Sequence, residues 1–505
     1  MICVIIACGS HSRMISEHQS LAADGVTLVE LRLDFLRREP DIRRLIPDRP
    51  TATIITARRT QDGGLWRDTE EKRLRLLRSA IAAEPEFVDL EVDIADKIPP
   101  FGATHRIISY HDLEKTPENL DALHREMLTK SPYFIKIAVT PKTVDDLFRF
   151  VTFIREKNRE AKQLGDKGVR VVGIGMGEMG KATRILAKKF GMPYTYATFS
   201  QERMIAPGML VYKELLDLYH YDQTDADSVV YGIIGNPIGH SLSPLIHNRS
   251  FIGQKINAVY IPFPLDDDNV TDFIRRANEW DIKGLSVTIP HKVAVTKHLT
   301  KMDPAVEKIG ACNTVVFRGE ERLGYNTDYV AAVSSIEAAM GGNFTDEKRI
   351  LDGKNALILG AGGAGMALAY GLKKRGALVT ITDINGNRAY DLSKHLDCEI
   401  VDWKSRDKLK QDILVNCTPI GMYPNMDESP FDKSALRPRM VVFDAVYNPE
   451  NTLLLKSARE KGCIAISGVE MFVGQACLQF KLFTNQKASA TLMRNLVRDA
   501  MSAAH

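Results

Sequence analysis

Leu28-Val-Glu30-Leu-Arg32-Leu-Asp34 alternates leucine with charge from Glu30 onward. In an extended strand this period of two puts Glu30, Arg32 and Asp34 on one face. The stretch is one of eight short apolar runs in residues 1–220, at 2–8, 27–33, 51–57, 87–92, 105–110, 133–139, 169–176 and 194–199. Val, Ile and Leu dominate most of them, as in parallel strands buried on both faces. Helical patterns fill the gaps, clearest at 69–83, 117–128, 141–157 and 178–190, with Pro117 and Pro141 suited to a first turn. Eight strand–helix units predict a (β/α)8 TIM barrel with its active site at the carboxyl ends of the strands. An open doubly wound sheet is the alternative, and it more often stops at five or six strands.

The whole chain bounds the reading. Its 505 residues suggest two or three domains, and 67 basic against 64 acidic residues leave a charge of +3. That near-neutral balance does not point to nucleic acid or an anionic membrane. With 44% hydrophobic and 26% charged residues, the composition is that of a soluble globular chain. No apolar run approaches the roughly 18 residues of a spanning helix. Met1-Ile-Cys-Val-Ile-Ile-Ala-Cys8 lacks a basic leader and reads as a strand, while a targeting segment removed before residue 1 stays an open question. The 7 cysteines form no Cys-x-x-Cys pair, which argues against a disulfide framework or a zinc site and for a reducing cytoplasm. No metal is expected.

Several barrel strands carry polar residues that burial would penalise unless they pair or meet a polar ligand. A structural ion-pair layer is one use of the Glu30, Arg32, Asp34 face. Arg58 closes the third strand, His111 closes the fifth, and Lys136 lies within the sixth in Phe134-Ile-Lys-Ile-Ala-Val139. A desolvated lysine amine attacks ketones readily, and together with His111 and Arg58 it offers nucleophile, proton carrier and carboxylate anchor on one barrel.

Glu30-Leu-Arg32-Leu-Asp34, Ser109-Tyr-His111-Asp, Phe134-Ile-Lys136-Ile-Ala-Val, Gly175-Met-Gly-Glu-Met-Gly-Lys-Ala-Thr-Arg184 and Ala206-Pro-Gly208 resemble, in order, type I 3-dehydroquinate dehydratase. The resemblance implies a metal-free (β/α)8 barrel in which Lys136 forms a Schiff base with the substrate ketone. It further implies that His111 moves the protons, that Arg184 and Arg58 hold the carboxylate and ring hydroxyls, and that Glu30 and Arg32 orient them. The covering loop departs from the family: Ile205 and Met209 stand where a small hydroxyl residue and a glutamine are usual. Two polar contacts become apolar, which motivates an alternative of reduced or altered dehydratase activity.

A polar, acidic stretch at 215–227 suggests a boundary near residue 225. Beyond it, Asn236-Pro-Ile-Gly-His240-Ser241-Leu-Ser243-Pro, Val287-Thr288-Ile-Pro-His-Lys292, Gly310-Ala-Cys-Asn313 and Asn326-Thr-Asp328 each place hydroxyl, amide or ionisable residues after a strand. Singly these are also turn and cap chemistry, whereas as a set they suit a small polyol. The dinucleotide signal is sharper. A buried strand at 355–360 runs into Gly360-Ala-Gly362-Gly363-Ala-Gly365, a helical run at 366–375 follows, and a second strand at 377–382 ends in Asp383. That βαβ context makes the glycines a pyrophosphate site. Asp383 suits ribose hydroxyls and repels a 2′-phosphate, which Arg388 is placed to reach. Strands at 412–417, 440–445 and 463–467 complete an open α/β sheet.

With Asn416-Cys-Thr-Pro-Ile-Gly-Met422 and Gly468-Val-Glu-Met-Phe-Val-Gly-Gln475-Ala, these motifs resemble shikimate dehydrogenase over nearly all of residues 229–505. The resemblance implies Ser241, Ser243, Thr288, Asn313 and Gln475 as substrate ligands and Lys292 with Asp328 as the proton-transfer pair. It implies NADP(H), with NAD(H) almost as strongly indicated because Asp383-Ile384 replaces the usual Asn-Arg pair. The expected domains are a barrel at 1–225, a substrate domain at 226–335, a Rossmann domain at 336–469 and returning helices at 470–505. The order matches fused shikimate-pathway enzymes: dehydration of 3-dehydroquinate, then reduction of 3-dehydroshikimate to shikimate. The alternatives are a non-catalytic barrel and an NAD-dependent quinate/shikimate dehydrogenase.

Overall fold

The computed structural model describes residues 1–343 and 349–503. The chain divides into two units, Met1–Val229 with Asn257–Pro264, and Val230–Ile256 with Leu265–His505. Residues 1–228 hold eight strands: β1 (Ile2–Ile6), β2 (Leu28–Arg32), β3 (Ala52–Thr56), β4 (Phe87–Glu91), β5 (His105–Asp112), β6 (Phe134–Val139), β7 (Arg170–Gly175) and β8 (Thr195–Thr198). They lie in the order β7-β6-β5-β4-β3-β2-β1-β8. β1 pairs in parallel with both β2 and β8, which curls the sheet into a nearly closed (β/α)8 barrel. Cys3, Ile5, Leu28, Ile54, Ile107, Val172 and Tyr194 fill its interior as one buried cluster. Each fully buried aliphatic side chain of this kind contributes about 1.5–3 kcal/mol.

Two expected helix starts move. Pro117 and Pro141 lie outside their helices, which run Leu120–Leu128 and Val144–Gln163. The Asn119 and Thr143 side chains accept hydrogen bonds from the amides of Ala122 and Asp146, and these caps fix the first turns instead. The second helix also continues past the last apolar position of its pattern. Asn158 on that extension is buried, donates to the carbonyl oxygens of Ile154 and Val171, and accepts from the Val171 amide. A polar side chain therefore packs inward against β7, where hydrophobic periodicity gives no signal.

From residue 229 onward the chain forms two six-stranded sheets. One is built from β9 (Val229–Gly235), β10 (Ala258–Pro264), β11 (Ile282–Val287), β12 (Lys301–Met302), β13 (Thr314–Arg318) and β14 (Glu321–Tyr325), in the order β10-β9-β11-β13-β14-β12. The other is built from β15 (Asn355–Leu359), β16 (Leu378–Thr382), β17 (Glu399–Ile400), β18 (Ile413–Asn416), β19 (Val441–Asp444) and β20 (Ile464–Ile466). Its order, β17-β16-β15-β18-β19-β20, reverses direction at β15, and its ladders are parallel. This is the doubly wound arrangement whose ligands sit at the carboxyl ends of the strands, at the reversal. The helix Thr327–Ala339 runs unbroken through the expected 335/336 boundary, and Gly468–Thr484 runs through 469/470. Across those points the chain is continuous helix, with no loop to mark a change of domain.

Candidate active sites

The barrel mouth gathers charge from five strand ends. Lys136 is 5% exposed, and its Nζ lies 3.0 Å from Asp89 Oδ2 and 3.5 Å from Glu30 Oε1. The amine also sits 4.3 Å over the Tyr196 ring. Glu30 accepts a 2.6 Å hydrogen bond from Thr56. Arg32 does not share this cluster: it forms a bidentate pair with Asp34 at 2.9 and 2.7 Å, because β2 ends at Arg32 and a 3-10 turn carries Asp34 away from the strand face. The alternating face of the sequence thus splits into one residue turned to Lys136 and an ion pair of its own.

Arg58 is already engaged. Its guanidinium lies 2.8 Å from Asp89 and 3.0 Å from Glu91, and donates to Ser109. Burial alone lowers the affinity of Arg58 for its proton, but Asp89 and Glu91 outweigh it and raise its pKa. Burial likewise opposes ionisation of Asp89, and Arg58, Lys136 and His111 overcome that to hold it well below the usual carboxylate range. Arg73, fully buried, closes the network from behind with 2.9 Å to Glu91. Asp89, Glu91, Arg73, Ser109 and Tyr196 were not singled out in the sequence. Asp89 and Glu91 do carry a signal, since they alternate with Val88 and Leu90 as Glu30 and Arg32 do with leucine.

Two groups at the mouth lack partners. His111 Nδ1 and Arg184 Nε are buried without a hydrogen bond among the described residues. Burial, then the charges of Arg58 and Lys136, push the His111 imidazole well below its ordinary pKa, so it is neutral at pH 7 and ready to accept a proton. Arg184 is 3% exposed, and desolvation lowers its pKa to about 10. A buried guanidinium without a carboxylate is costly, and an anionic ligand removes the cost. The covering loop lies over this region. Met209 and, partly buried, Ile205 pack in the same apolar cluster as Met176 and Tyr196. Gly208 has φ 77°, and a Cβ there would meet the Gly177 carbonyl oxygen at 2.2 Å, so only glycine lets the loop close on that turn.

In the second unit, Lys292 Nζ donates to Asp328 Oδ2 at 2.6 Å. Lys292 follows β11, and Asp328 sits in the first turn of the helix Thr327–Ala339, capped by Asn326. Ser241 accepts from the Ser243 amide, whereas the Ser243 hydroxyl makes no hydrogen bond among the described residues. Thr288 is half-buried just beyond β11. Asn313 is committed internally: it donates to Thr327 Oγ1 and accepts from the Thr327 amide and Thr314 Oγ1. Gln475 donates to the Phe472 carbonyl. Gln479, one turn on and missed in the sequence, accepts from Ser286 and donates to Thr314, tying the helix Gly468–Thr484 to β11 and β13.

The glycine loop fits a pyrophosphate. Gly360 has φ 101°, and a Cβ on Gly365 would lie 1.9 Å from the Gly360 carbonyl oxygen. Gly362 caps the helix Gly363–Lys374 without a side-chain bond, and a Cβ there would meet nothing within 4 Å, so open space faces bare helix amides. The Lys292 stem lies 3.8 Å from where a Cβ on Gly363 would be, which brings the Lys292–Asp328 pair beside this loop. Asp383 accepts from the amides of Ala361 and Asn385, both at 2.7 Å, so its carboxylate clasps the loop. Arg388 is exposed with no side-chain partner among the described residues.

Comparison with known proteins covers both units. The type I 3-dehydroquinase family matches residues 2–226. The shikimate dehydrogenase substrate binding domain matches 233–315, and the shikimate 5′-dehydrogenase C-terminal domain matches 468–498. A chloroplastic bifunctional 3-dehydroquinate dehydratase/shikimate dehydrogenase from Arabidopsis thaliana is 35% identical, over 97% of this chain and 83% of its own. A shikimate dehydrogenase (NADP(+)) from Pyrococcus furiosus is 41% identical, over 54% of this chain and 96% of its own. A solved shikimate dehydrogenase in complex with NADP+ superposes with a TM-score of 0.52 at 34% identity, covering 55% of this chain and 97% of that one.

Proposed function

The chain belongs to the bifunctional 3-dehydroquinate dehydratase/shikimate dehydrogenase family, and from that premise we propose how its residues divide the chemistry. The barrel dehydrates 3-dehydroquinate and the second unit reduces the resulting 3-dehydroshikimate to shikimate with a nicotinamide cofactor. The observation that carries the assignment of the first step is the unpaired, buried Arg184 in the barrel that also holds Lys136 and His111. Arg184 takes the substrate carboxylate. Lys136, once it has given up a proton, adds to the ketone and loses water to form an iminium. Neutral His111 takes the adjacent C–H proton, the C–H electron pair passes into the iminium, and as that pair returns to expel the hydroxyl His111 gives the proton to the departing oxygen. Hydrolysis of the iminium releases the enone and restores Lys136, so the net change is loss of one water. Asp89, kept ionised by Arg58, stabilises the protonated amine between turnovers. Glu30 orients Lys136, and Arg58 acts mainly through Asp89.

In the second unit, Ser241, Ser243, Thr288 and Gln475 grip the ring hydroxyls and carboxylate, with Asn313 holding the segment around Thr327. A bound nicotinamide supplies hydride to the carbonyl carbon. Lys292 gives its proton to the developing alkoxide, and Asp328 holds that amine in place at 2.6 Å. NADP(H) is the cofactor, with Gly360, Gly362, Gly363 and Gly365 around the pyrophosphate and Arg388 on the 2′-phosphate. Asp383 favours NAD(H) as the second reading, with quinate as its companion substrate. The return of residues 470–505 to the substrate domain draws support from Gln479, which donates to Thr314 of β13. Among the described residues no helix is long and apolar enough to cross a membrane. The seven free cysteines fit a reducing compartment.

The test supplies 3-dehydroquinate with NADPH, then with NADH, while enone absorbance and nicotinamide oxidation are followed together. Shikimate formation with borohydride-trapped substrate on Lys136 is expected. Turnover that begins only when 3-dehydroshikimate is supplied overturns the barrel assignment.

A further inference from the structure

Beside the barrel mouth, apart from Lys136 and its partners, a cavity of about 460 Å³ is lined by Arg13, Arg37, Arg38, Arg44, Arg203 and His11. These residues come from separate stretches: the helix His11–Ala23, the segment after β2, the helix Ile42–Leu45 and the turn Gln201–Arg203. Only two of the arginines have an acid. Glu17 takes Arg13 at 3.3 Å and Arg203 at 2.8 Å. The guanidiniums of Arg37, Arg38 and Arg44 have no carboxylate within ion-pair distance among the described residues. Arg37 is drawn in over Gly9, where a Cβ would come within 3.1 Å of its Nε.

A histidine that is itself largely buried also lines this cavity. His11 is 7% exposed, and its Nε2 accepts the Asp41 amide at 2.8 Å. The remaining ring nitrogen, Nδ1, therefore carries the hydrogen. Burial, then Arg44, keep the imidazole below its ordinary pKa, so it is a neutral donor among cations. Convergent like charges repel one another unless an anion bridges them, and guanidinium forks match phosphoryl oxygens two at a time. The volume is that of a small-ligand pocket.

We propose that this cavity is a second, non-catalytic site that binds a phosphate-bearing small molecule through Arg37, Arg38, Arg44 and Arg203. Arg203 ends the turn Gln201–Arg203, two residues before Ile205 on the loop that covers the substrate. An anion held there ties the covering loop to the outer wall of the barrel. Binding itself does not rest on the dehydratase reading, because the measurement needs no turnover.

Isothermal titration of the full chain, with NADPH saturating the dinucleotide loop and ionic strength fixed, tests the site with pyrophosphate, inorganic phosphate and citrate. Pyrophosphate is expected to bind saturably with Kd at or below about 1 mM, and the exposed double variant Arg38→Ala/Arg44→Ala to weaken it at least about tenfold. Hydrogen exchange of the amides at 201–208 should slow on addition of pyrophosphate in the parent and not in the variant. Absence of saturable binding, or equal binding by the variant, overturns the site. Tighter binding of citrate than of pyrophosphate overturns the phosphate assignment.

Discussion

Replacing Arg184 with methionine is expected to stabilise the barrel and disable it in the same stroke. The guanidinium is 3% exposed and has no acid in ion-pair reach, and burial lowers its pKa to about 10. That fall corresponds to about 3 kcal/mol of charge burial without compensation. The folded-state pKa lies below the unfolded one, so the native state holds this proton less firmly. The cost is therefore complete below about pH 10 and fades only as pH rises beyond it. Methionine keeps most of the side-chain volume, and lost packing reduces the gain, so calorimetry at pH 7 should show the barrel transition stabilised by about 1–3 kcal/mol. On the proposed role of Arg184, a substrate carboxylate would offset the cost through two charge-assisted hydrogen bonds. Their loss should lower kcat/KM for enone formation by about 10²–10³-fold, mostly through KM. Ligand at about 100 times its Kd should stabilise the parent by about 2.7 kcal/mol and leave Arg184→Met unmoved. A variant less stable than the parent by more than about 1 kcal/mol would refute the reasoning, as would dehydration within about threefold of normal, since either means that Arg184 has a compensating partner.

The covering loop gives a second test: Ile205→Ser with Met209→Gln should raise dehydratase kcat/KM by about 5–150-fold if two hydrogen bonds of about 0.5–1.5 kcal/mol each are restored. An unchanged rate would mean that the apolar loop is harmless. Arg388→Ala should weaken NADPH about tenfold and leave NADH unaffected, as expected for one exposed phosphate contact; equal loss with both cofactors refutes the 2′-phosphate role. Asp444 clasps Asn416, the Val446 amide and Thr452, and burial raises its pKa to about 6 in spite of them. An acid raised on folding binds more protons in the native state, so stability falls as pH rises from about 4 to about 6 and is level above. Asp444→Asn removes that slope, and its stability relative to the parent should climb by about 3 kcal/mol between pH 4 and pH 7. A constant difference across that range refutes the assignment.

The sequence by itself determined the features that a few neighbouring residues encode. Short apolar runs rich in Val, Ile and Leu located every barrel strand to within a residue or two. The glycine spacing at 360–365 required the close approach of Gly365 to the Gly360 carbonyl, because a Cβ has no room there. Lys136, His111, Lys292 and Asp328 were legible because ionisable residues on or just beyond apolar strands, in recognisable motifs, are few. Helix starts were less legible, since Asn119 and Thr143 outcompete the nearby prolines only through their side-chain caps.

Only the tertiary structure decided which charges meet. Arg58 lies close to Asp89 and Glu91 and so is largely withdrawn from the substrate, while Arg184 meets no acid and is left free for it. Asn313 turns inward to Thr327, and Asp383 clasps Ala361 and Asn385 before it meets any ribose. The reason is physical. Secondary structure and turns are set by sterics and hydrogen bonds within a few residues, whereas the partner of a buried charge comes from strands far apart in the chain. Lys136 and Glu30 are 106 residues apart, and only closure of the barrel brings them to 3.5 Å.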